Sequence, residues 1–409
     1  MYRSFAERRT PLVFVAAALV AVALLYSLAA LAPAARADGP GSGAPWTASL
    51  GDSYISGEAG RWAGNTNMSS STIDALGSTA YDDNAAGNAE QISGCHRSKA
   101  AEVYIGAGVN GVNLACSGAK TYTVAGSPFK PGIDFYSSAG NEGQALMLQH
   151  FAATHNVKLV ALSIGGNNFN FASIVQTCVE DWLLSPSWWP NYCNDDSSVT
   201  SNFTASNVSK VKGEITTAIT NVAQAMTNAG YSSSQYTIVV QDYPSPIPLG
   251  SGFRYSQSGY TRQEVDGCGF WNNDANYANE KMLPTINSTV FGAAGASGLS
   301  NVKTMEIGSA FNGHRLCEKG VGLLEEEGLS NWKGAGASDK TEWINMIRTI
   351  TAIFPPYEIQ EDIHPTYWGE LALRNCLTQA YNGGTPKGGT CTISGTGLNS
   401  AGEPNMSLH

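Results

Sequence analysis

A serine that could act as a nucleophile follows the first apolar run of the chain. Trp46–Leu50 has the composition of a buried strand, and Gly51-Asp52-Ser53 comes directly after it. Gly51 permits a sharp turn, and the Asp52 side chain can hydrogen-bond the nearby backbone. Ser53 would then lie at the carboxyl edge of the first strand, where open α/β sheets bind their ligands. An ordinary turn with a solvated serine also explains Gly-Asp-Ser, so a nucleophilic role needs further groups nearby.

The candidate base is His364, one of six histidines in the chain. Pro365 is predicted to be the first residue of the last helix, Pro365–Tyr381, which places His364 at the helix boundary. The positive end of the helix dipole disfavours imidazolium, so His364 would stay neutral and able to accept a proton. His314 is the rival base, although a structural role beside Cys317 explains it adequately.

Two turns that follow predicted strands could supply hydrogen-bond donors. Gly118 follows Val112–Ala115 and offers a backbone N–H with no Cβ beside it. Asn167 follows Val157–Ile164 and two glycines, so its amide can project from the same sheet edge. Donors of this kind hold the oxyanion that forms when a serine attacks a carbonyl. Each turn alone is ordinary, and it is the set of four features on one sheet edge that points to chemistry.

Together, the four features resemble the SGNH hydrolases, also called the GDSL-like esterases and lipases. The resemblance runs from about Trp46 to Tyr381 and is strongest to the secreted, disulfide-bonded actinobacterial members. It rests on four sequence blocks, which are Gly51-Asp52-Ser53-Tyr54, Gly118, Gly165-Gly166-Asn167 and His364-Pro365.

The resemblance also implies a role for each site residue. Ser53 would be the nucleophile and His364 the general base. The oxyanion hole would consist of the Ser53 N–H, the Gly118 N–H and the Asn167 side-chain amide.

One position departs from the family pattern. The family often has Asp three residues before the histidine, and Glu361 stands there in this chain. Glu361, the neighbouring Asp362 or a backbone carbonyl could each orient His364, and the sequence leaves all three open. Asp362 ranks behind the other two, because an extended backbone would turn its side chain away from His364.

Short apolar runs alternate with segments of helical periodicity. The predicted strands are Trp46–Leu50, Val112–Ala115, Val157–Ile164, Tyr236–Gln241 and Val302–Ile307. The clearest predicted helices are Glu142–His155, Val208–Asn228, Asn272–Leu283, Thr341–Ala352 and Pro365–Tyr381. This alternation predicts a three-layer α/β/α sandwich with a central parallel sheet. The resemblance implies the flavodoxin-like version of that fold. Residues 38–409 are expected to form a single domain, with long surface loops near Gly57–Ser93 and Leu249–Gly267.

Residues 1–37 have the pattern of an export signal. Arginines precede an uncharged run from Leu12 to Ala32, and Ala35-Arg36-Ala37 is a small-x-small cleavage site. The run is also long enough to span a bilayer, so an uncleaved anchor is the competing interpretation. We expect cleavage, a secreted chain that begins at Asp38, and no membrane span after cleavage.

Eight cysteines, all beyond the signal, agree with export. Their number is even and Cys-x-x-Cys is absent, which favours disulfides over zinc. Pairing in sequence order closes short loops and is the predicted connectivity. The expected bonds are Cys95–Cys116, Cys178–Cys193, Cys268–Cys317 and Cys376–Cys391.

Composition and motifs exclude several other functions. The 409 residues are 43% hydrophobic and 14% charged, which is too apolar for a disordered chain. The net charge is −10 and no basic block occurs, so a nucleic-acid partner is not expected. Gly-x-Ser-x-Gly, His-Glu-x-x-His and phosphate-loop motifs are absent, and we expect neither a cofactor nor a metal.

Three tryptophans crowd into one predicted loop. Trp182, Trp188 and Trp189 lie between Cys178 and Cys193, a short distance beyond Asn167. An apolar loop there could border an acyl pocket or enter a lipid surface. Packing on the core is the plainer interpretation of the three indoles.

These observations predict a secreted, monomeric serine esterase whose partner is its ester substrate. Ser53 would form an acyl-enzyme, and water activated by His364 would release the acid. The low charge and the tryptophan loop favour lipid-like or other apolar esters. A polysaccharide acetylesterase is the alternative with the same chemistry. A non-catalytic cell-surface binding domain is the alternative from another class.

Overall fold

The computed structural model describes residues 38–348 and 359–409. In these ranges, six parallel strands and one antiparallel strand form a central sheet. Its strands are β1 (Pro45–Gly51), β2 (Asn110–Asn113), β3 (Asn156–Ser163), β4 (Thr237–Gln241), β5 (Val302–Glu306), β6 (Gly389–Leu398) and β7 (Pro404–Leu408). They lie in the order β2-β1-β3-β4-β5-β6-β7, and β7 is the strand that runs antiparallel to its neighbour. A separate small hairpin pairs Ser137–Ser138 with Asn141–Glu142.

Burial on both faces explains why these segments form strands. In β3, Leu159 and Ala161 pack into one hydrophobic core, whereas Val160 and Leu162 pack into the other. Successive side chains of a strand point to opposite faces, so a sheet covered on both sides requires an apolar run rather than alternation. The strands expected from such runs are present, which confirms the predicted central parallel sheet.

Helices cover both faces of the sheet. The α-helices of the described ranges are α1 (Ser53–Ser56), α2 (Gln144–Ala152), α3 (Phe171–Leu184), α4 (Ser197–Thr200), α5 (Ala205–Asn228), α6 (Thr261–Asp266), α7 (Asn272–Tyr277), α8 (Leu283–Ala296), α9 (Ala337–Lys340) and α10 (Tyr367–Tyr381). A π-helical turn, Ala278–Met282, joins α7 to α8. Helices α2, α5 and α8 contribute to one core, and α3 and α10 contribute to the other. The predicted three-layer α/β/α sandwich is therefore confirmed.

The helix predicted at Thr341–Ala352 is wrong over its described part. Residues 341–348 contain no helix, and backbone amides of this segment donate to distant carbonyls, such as Trp343 N to His314 O (2.7 Å) and Asn345 N to His364 O (2.8 Å). Trp343, Ile344, Met346 and Ile347 are all buried, and an apolar run buried on every side does not distinguish helix from extended chain. Residues 349–352 of this prediction lie outside the described residues.

Other elements differ from the sequence prediction in extent. The last helix begins at Tyr367, with Thr366 as its N-cap, rather than at Pro365. Helix α3 and the hairpin of β6 and β7 were not predicted. The hairpin has a glycine- and serine-rich sequence that is typical of loops, and its stability comes from packing of β7 on α10 and from the bond between Cys376 and Cys391.

All four predicted disulfides are confirmed. Cys95 bonds Cys116, Cys178 bonds Cys193, Cys268 bonds Cys317, and Cys376 bonds Cys391. The predicted export signal, residues 1–37, lies outside the described residues. Of the helices in the described ranges, none is both long enough and apolar enough to span a membrane.

Candidate active site

The turns that follow β1, β2 and β3 meet at one edge of the sheet. β1 lies between β2 and β3, and all three strands run parallel, so their carboxyl ends point the same way. Ser53, Gly118 and Asn167 follow these strands and line a single cavity together with His364. The structure thus brings together the four residues that the sequence analysis selected.

The turn before Ser53 is held from both sides. Gly51 has a φ of 143°, and a Cβ at this position would lie 1.9 Å from the Ser163 carbonyl oxygen, so only glycine fits. The Gln144 side chain clamps the same residue, because its Oε1 accepts from Gly51 N (2.8 Å) and its Nε2 donates to Gly51 O (2.9 Å). Ser53 is therefore placed by rigid backbone as the first residue of α1, and 7% of it is exposed.

Asp52 connects the serine turn to the asparagine turn. Its carboxyl group accepts from Tyr54 N (3.3 Å) and from the Tyr243 hydroxyl (2.5 Å). Tyr243 in turn accepts from Gly166 N (2.9 Å), directly before Asn167. Burial raises the pKa of Asp52 to about 7, although these hydrogen bonds oppose the rise. Asp52 is a buried structural link, and it does not face the cavity that contains His364.

His364 contacts Ser53 directly. The distance from His364 Nε2 to Ser53 Oγ is 2.6 Å, and Nδ1 lies 2.9 Å from the backbone carbonyl oxygen of Asp362. A carbonyl can only accept, so Nδ1 must carry the proton and Nε2 is left with its lone pair toward Ser53. The arrangement therefore makes Nε2 the acceptor for the serine proton.

A left-handed residue directs the Asp362 carbonyl. Ile363 has a φ of 59°, which is rare for a β-branched residue and costs conformational energy. Hydrogen bonds hold it there, because Ile363 N donates to Asn345 O (3.0 Å) and the Tyr54 hydroxyl donates to Ile363 O (2.9 Å). Strain of this kind next to His364 is typical of functional sites.

The carboxyl groups of Glu361 and Asp362 accept hydrogen bonds from residues other than His364. Glu361 accepts from Trp62 Nε1 (2.8 Å) and from the Tyr81 hydroxyl (2.5 Å), and Asp362 accepts from Arg348 N (3.3 Å). Burial raises the pKa of Glu361 to about 7 and that of Asp362 to about 8. Of the three alternatives left open by the sequence, the backbone carbonyl is the group that contacts the imidazole.

The pKa of His364 is lowered, but the cause differs from the expected one. His364 precedes the first residue of α10 by three positions, so it does not occupy the helix boundary. Burial is the main cause of the lower pKa, and nearby Glu58 opposes it. The rival base His314 lies against Trp343, with its Nδ1 3.1 Å from the Thr341 carbonyl oxygen, and it does not line the Ser53 cavity.

Replacing either carboxyl group should leave catalysis largely intact. We expect Asp362→Asn and Glu361→Gln to keep kcat within about tenfold of the parent, whereas loss of a true triad carboxylate costs on the order of 10⁴. Glu361→Gln also leaves one buried donor poorly paired, so its melting temperature should fall. Steady-state kinetics beside thermal unfolding tests this prediction. A drop of roughly 10⁴ in kcat with normal folding would assign that carboxylate to the histidine.

The candidate oxyanion donors line the same cavity as the Ser53 side chain. Gly118 has a φ of 78° and follows Cys116, whose amide donates to Gly51 O (3.1 Å) and so ties this turn to β1. Within residues 38–348 and 359–409, the N–H groups of Ser53 and Gly118 have no acceptor. Asn167 Nδ2 donates to Ala119 O (3.0 Å), which positions the amide and leaves its second N–H for a ligand.

A buried His–Glu pair, His96 and Glu58, lies near His364. His96 Nδ1 is 2.6 Å from Glu58 Oε1, and the Gln360 amide donates to the other Glu58 oxygen (3.0 Å). Burial alone would raise the pKa of Glu58, but the His96 interaction lowers it below its ordinary value. Sequence reasoning did not identify Glu58, Gln144 or Tyr243, because each depends on a partner distant in the chain.

The cavity at Ser53 has a volume of about 570 Å³. One wall is apolar and comes from α3, including Phe171, Val175 and Val179, whereas Arg348 and Gln360 give the opposite side a polar character. Phe171 also borders two smaller pockets on its other side. A largely apolar cleft with a few convergent polar groups is typical of small-molecule sites.

Several solved structures are similar to this chain. The extracellular lipase from Streptomyces rimosus is 18% identical over 83% of this chain and 100% of that chain, with a TM-score of 0.43. Phospholipase A1 from Streptomyces albidoflavus NA297 is 18% identical over 82% and 99%, with a TM-score of 0.43. An active site mutant of a family two carbohydrate esterase from Clostridium thermocellum is 10% identical over 83% and 63%, with a TM-score of 0.35. No protein-family model and no curated protein matches the chain.

Proposed function

We propose that this protein is a secreted carboxylic ester hydrolase of the SGNH type that works through an acyl-enzyme on Ser53. The observation that carries the proposal is the 2.6 Å contact between His364 Nε2 and Ser53 Oγ, with Nδ1 held by a carbonyl. A serine hydroxyl becomes a nucleophile when a base of defined tautomer can take its proton. Four disulfides in the described residues support an extracellular location.

Acylation begins when Ser53 Oγ attacks the ester carbonyl carbon as its proton moves to His364 Nε2. The imidazolium that forms is stabilised at Nδ1–H by the Asp362 carbonyl. The oxyanion of the tetrahedral intermediate accepts from the N–H groups of Ser53 and Gly118 and from the Asn167 amide. The intermediate collapses when its bond to the alkoxy oxygen breaks and His364 gives the proton to the leaving alcohol.

Deacylation repeats the sequence with water. His364 Nε2 takes a proton from water, and the hydroxide attacks the acyl carbon. The same donors hold the second oxyanion. The Ser53 oxygen then leaves with the proton from His364, which restores the free enzyme and releases the acid.

The cavity favours an apolar acyl group over acetate. Phe171, Val175, Val179 and Leu183 line the cavity along successive turns of α3. Apolar walls of this extent stabilise a chain of several methylenes, each contributing about 0.8 kcal/mol when fully buried. The substrate class we propose is therefore an ester of a medium or long acyl chain.

Hydrolysis of p-nitrophenyl esters from acetate to palmitate tests this proposal. We expect turnover that is lost in Ser53→Ala and a kcat/KM that increases beyond acetate. A maximum at acetate, with activity on acetylated polysaccharide, would instead favour the acetylesterase. The absence of turnover on every ester, from a folded chain, would contradict the proposal and favour a binding domain.

The pH dependence should show an acid limb below the ordinary range of histidine. The base acts only when neutral, and burial lowers the pKa of His364 below its usual value of about 6.5. As pH rises through this lowered pKa, kcat/KM should increase and then stay level. A midpoint above about 6.5, or a rate that does not change between about pH 4 and 8, would count against His364 as the base.

A further inference from the structure

We infer that an exposed apolar tip next to the active-site cavity docks on a neutral or zwitterionic lipid surface. The tip consists of Leu183, Leu184, Trp188 and Trp189 and is called the tryptophan tip below. The inference rests on the proposed function and specifies where the enzyme meets its ester substrates. Docking would bring the Leu183 end of the cavity to the lipid surface, so that an acyl chain could enter the cavity without passing through water.

Helix α3 connects the tip to Ser53. Phe171, Val175, Val179 and Leu183 recur at every fourth position and all line the cavity, so one face of the helix forms its wall. Phe171 borders the pocket floor beside Ser53, and Leu183 lies about 18 Å further along the helix. Apolar side chains of α3 therefore run from the cavity at Ser53 to Leu183, the one member of the tip that lines the cavity, and Gln176 and Glu180 of the same helix line it as well.

The tip carries the most exposed large apolar side chains of the described residues. Leu184 is 84% exposed, Trp188 is 80% exposed and Trp189 is 73% exposed. Trp182, in contrast, is buried against Trp271, so the expectation that the tryptophans pack on the core holds for only one of the three. Exposed apolar clusters of this kind mark sites of contact with a partner or a membrane.

A disulfide and several hydrogen bonds hold the loop that presents the tip. The bond between Cys178 and Cys193 closes it, and Trp189 N donates to the Pro186 carbonyl (2.8 Å). The Ser185 hydroxyl donates to a carbonyl of α3 and accepts from Asn191 N (2.9 Å). The backbone of Trp188 and Trp189 is therefore placed by a defined turn, from which both indoles project into water.

Ring geometry and charge select a lipid surface. The planes of Trp188 and Trp189 meet at 89°, so the two rings cannot form the flat platform on which a sugar chain would stack. Aromatic and aliphatic side chains at a projecting tip suit the boundary between headgroups and acyl chains. No Lys, Arg or His occurs from residue 159 to 209, whereas Glu180, Asp181, Asp195 and Asp196 are acidic. The acidic residues of this segment disfavour anionic headgroups, so the surface we infer is neutral or zwitterionic lipid.

Binding to phosphatidylcholine vesicles tests the inference with chain recovered from culture medium. We expect the parent to cosediment with vesicles and its tryptophan emission to shift to the blue. The double variant Trp188→Ser/Trp189→Ser should bind roughly tenfold or more weakly, because the indoles no longer leave water. Leu398→Ser removes an apolar side chain of β6 that is 44% exposed and should bind like the parent. Phosphatidylglycerol in the vesicles should weaken parent binding.

Hydrolysis of soluble p-nitrophenyl butyrate, measured in parallel, separates this inference from the proposed function. The double tryptophan variant should lose far more of its vesicle binding than of its turnover of butyrate. Turnover that is retained in this variant also shows that the variant is folded. Ser53→Ala should bind vesicles like the parent although it is inactive. Equal binding by the parent and the tip variant would overturn the inference. A second result would also overturn it, namely a parent chain that does not bind vesicles but dimerises, together with a tip variant that stays monomeric. The tip would then be a self-association surface.

Discussion

Ser53→Ala is expected to lower kcat on a soluble p-nitrophenyl ester by a factor on the order of 10⁶. The alanine cannot form the acyl-enzyme, and the remaining donors accelerate only the direct attack of water. Ser53 is the first residue of a short helix whose turn is held by Gly51 and Gln144, neither of which depends on the hydroxyl. The variant should therefore fold normally, which near-ultraviolet circular dichroism and thermal unfolding would show.

Ser56→Ala is the matched control for Ser53→Ala. Ser56 belongs to the same helix and is fully buried, and its hydroxyl donates to the Ser53 carbonyl (3.1 Å) without lining the cavity. Its loss should cost about 1 kcal/mol of stability and keep kcat within about tenfold. Equal loss of activity in the two variants would indicate that activity depends on the integrity of the helix and not on the Ser53 hydroxyl.

The double variant Ser53→Ala/His364→Ala should be no slower than the slower single variant. A nucleophile and its base act as one unit, so removing the second group after the first has little further effect. Independent roles would instead give losses that multiply. The comparison thus tests whether the 2.6 Å contact between these residues is functional.

Asn167→Ala is expected to lower kcat by a factor on the order of 10²–10³, about 2.7–4 kcal/mol, with a much smaller effect on KM. The side-chain amide donates to Ala119 O through one N–H, and its second N–H is available to the oxyanion. That donor acts on charge that develops in the transition state, so its loss should affect the chemical step more than substrate binding.

Two further variants separate the oxyanion role of Asn167 from a structural one. Asn167→Asp keeps the shape but places an acceptor where a donor is needed, so kcat should fall at least as far as in the alanine variant. Asn168→Ala removes the neighbouring amide, which bonds Thr121 and Glu214 rather than facing the serine. We expect it to lower the melting temperature with little change in kcat. A normal kcat in Asn167→Ala would remove this residue from the oxyanion hole.

The positions of Ser53, Gly118 and Asn167 at one sheet edge were predictable because each follows a strand in a short, local pattern. An apolar run followed by Gly-Asp-Ser, or by two glycines and an asparagine, determines where the chain turns and which side chain projects. The parallel sheet then places these turns at one edge whatever the sequence between them. His364 was selected from its position before Pro365 and the last helix, and the backbone carbonyl that contacts it was one of three alternatives that the sequence left open. The Asp362 carbonyl is directed by the left-handed Ile363, a conformation that no propensity for isoleucine suggests.

The supporting contacts could not be predicted because they join residues far apart in sequence. Gln144 lies 93 positions from Gly51, and Tyr243 lies 191 positions from Asp52. Glutamine and tyrosine are common types, and their roles depend on tertiary packing alone. A different limit applies to residues 341–347, which are all buried and therefore carry no periodicity that separates helix from extended chain.

Covalent trapping tests the central claim most directly. The chain would be incubated with a p-nitrophenyl alkylphosphonate, and its intact mass and labelled peptide would then be determined. We predict one phosphonyl group per chain, located on Ser53, with no label in Ser53→Ala and much slower labelling in His364→Gln. A label on another residue, or no label on a chain that hydrolyses esters, would contradict the proposal that Ser53 is the nucleophile.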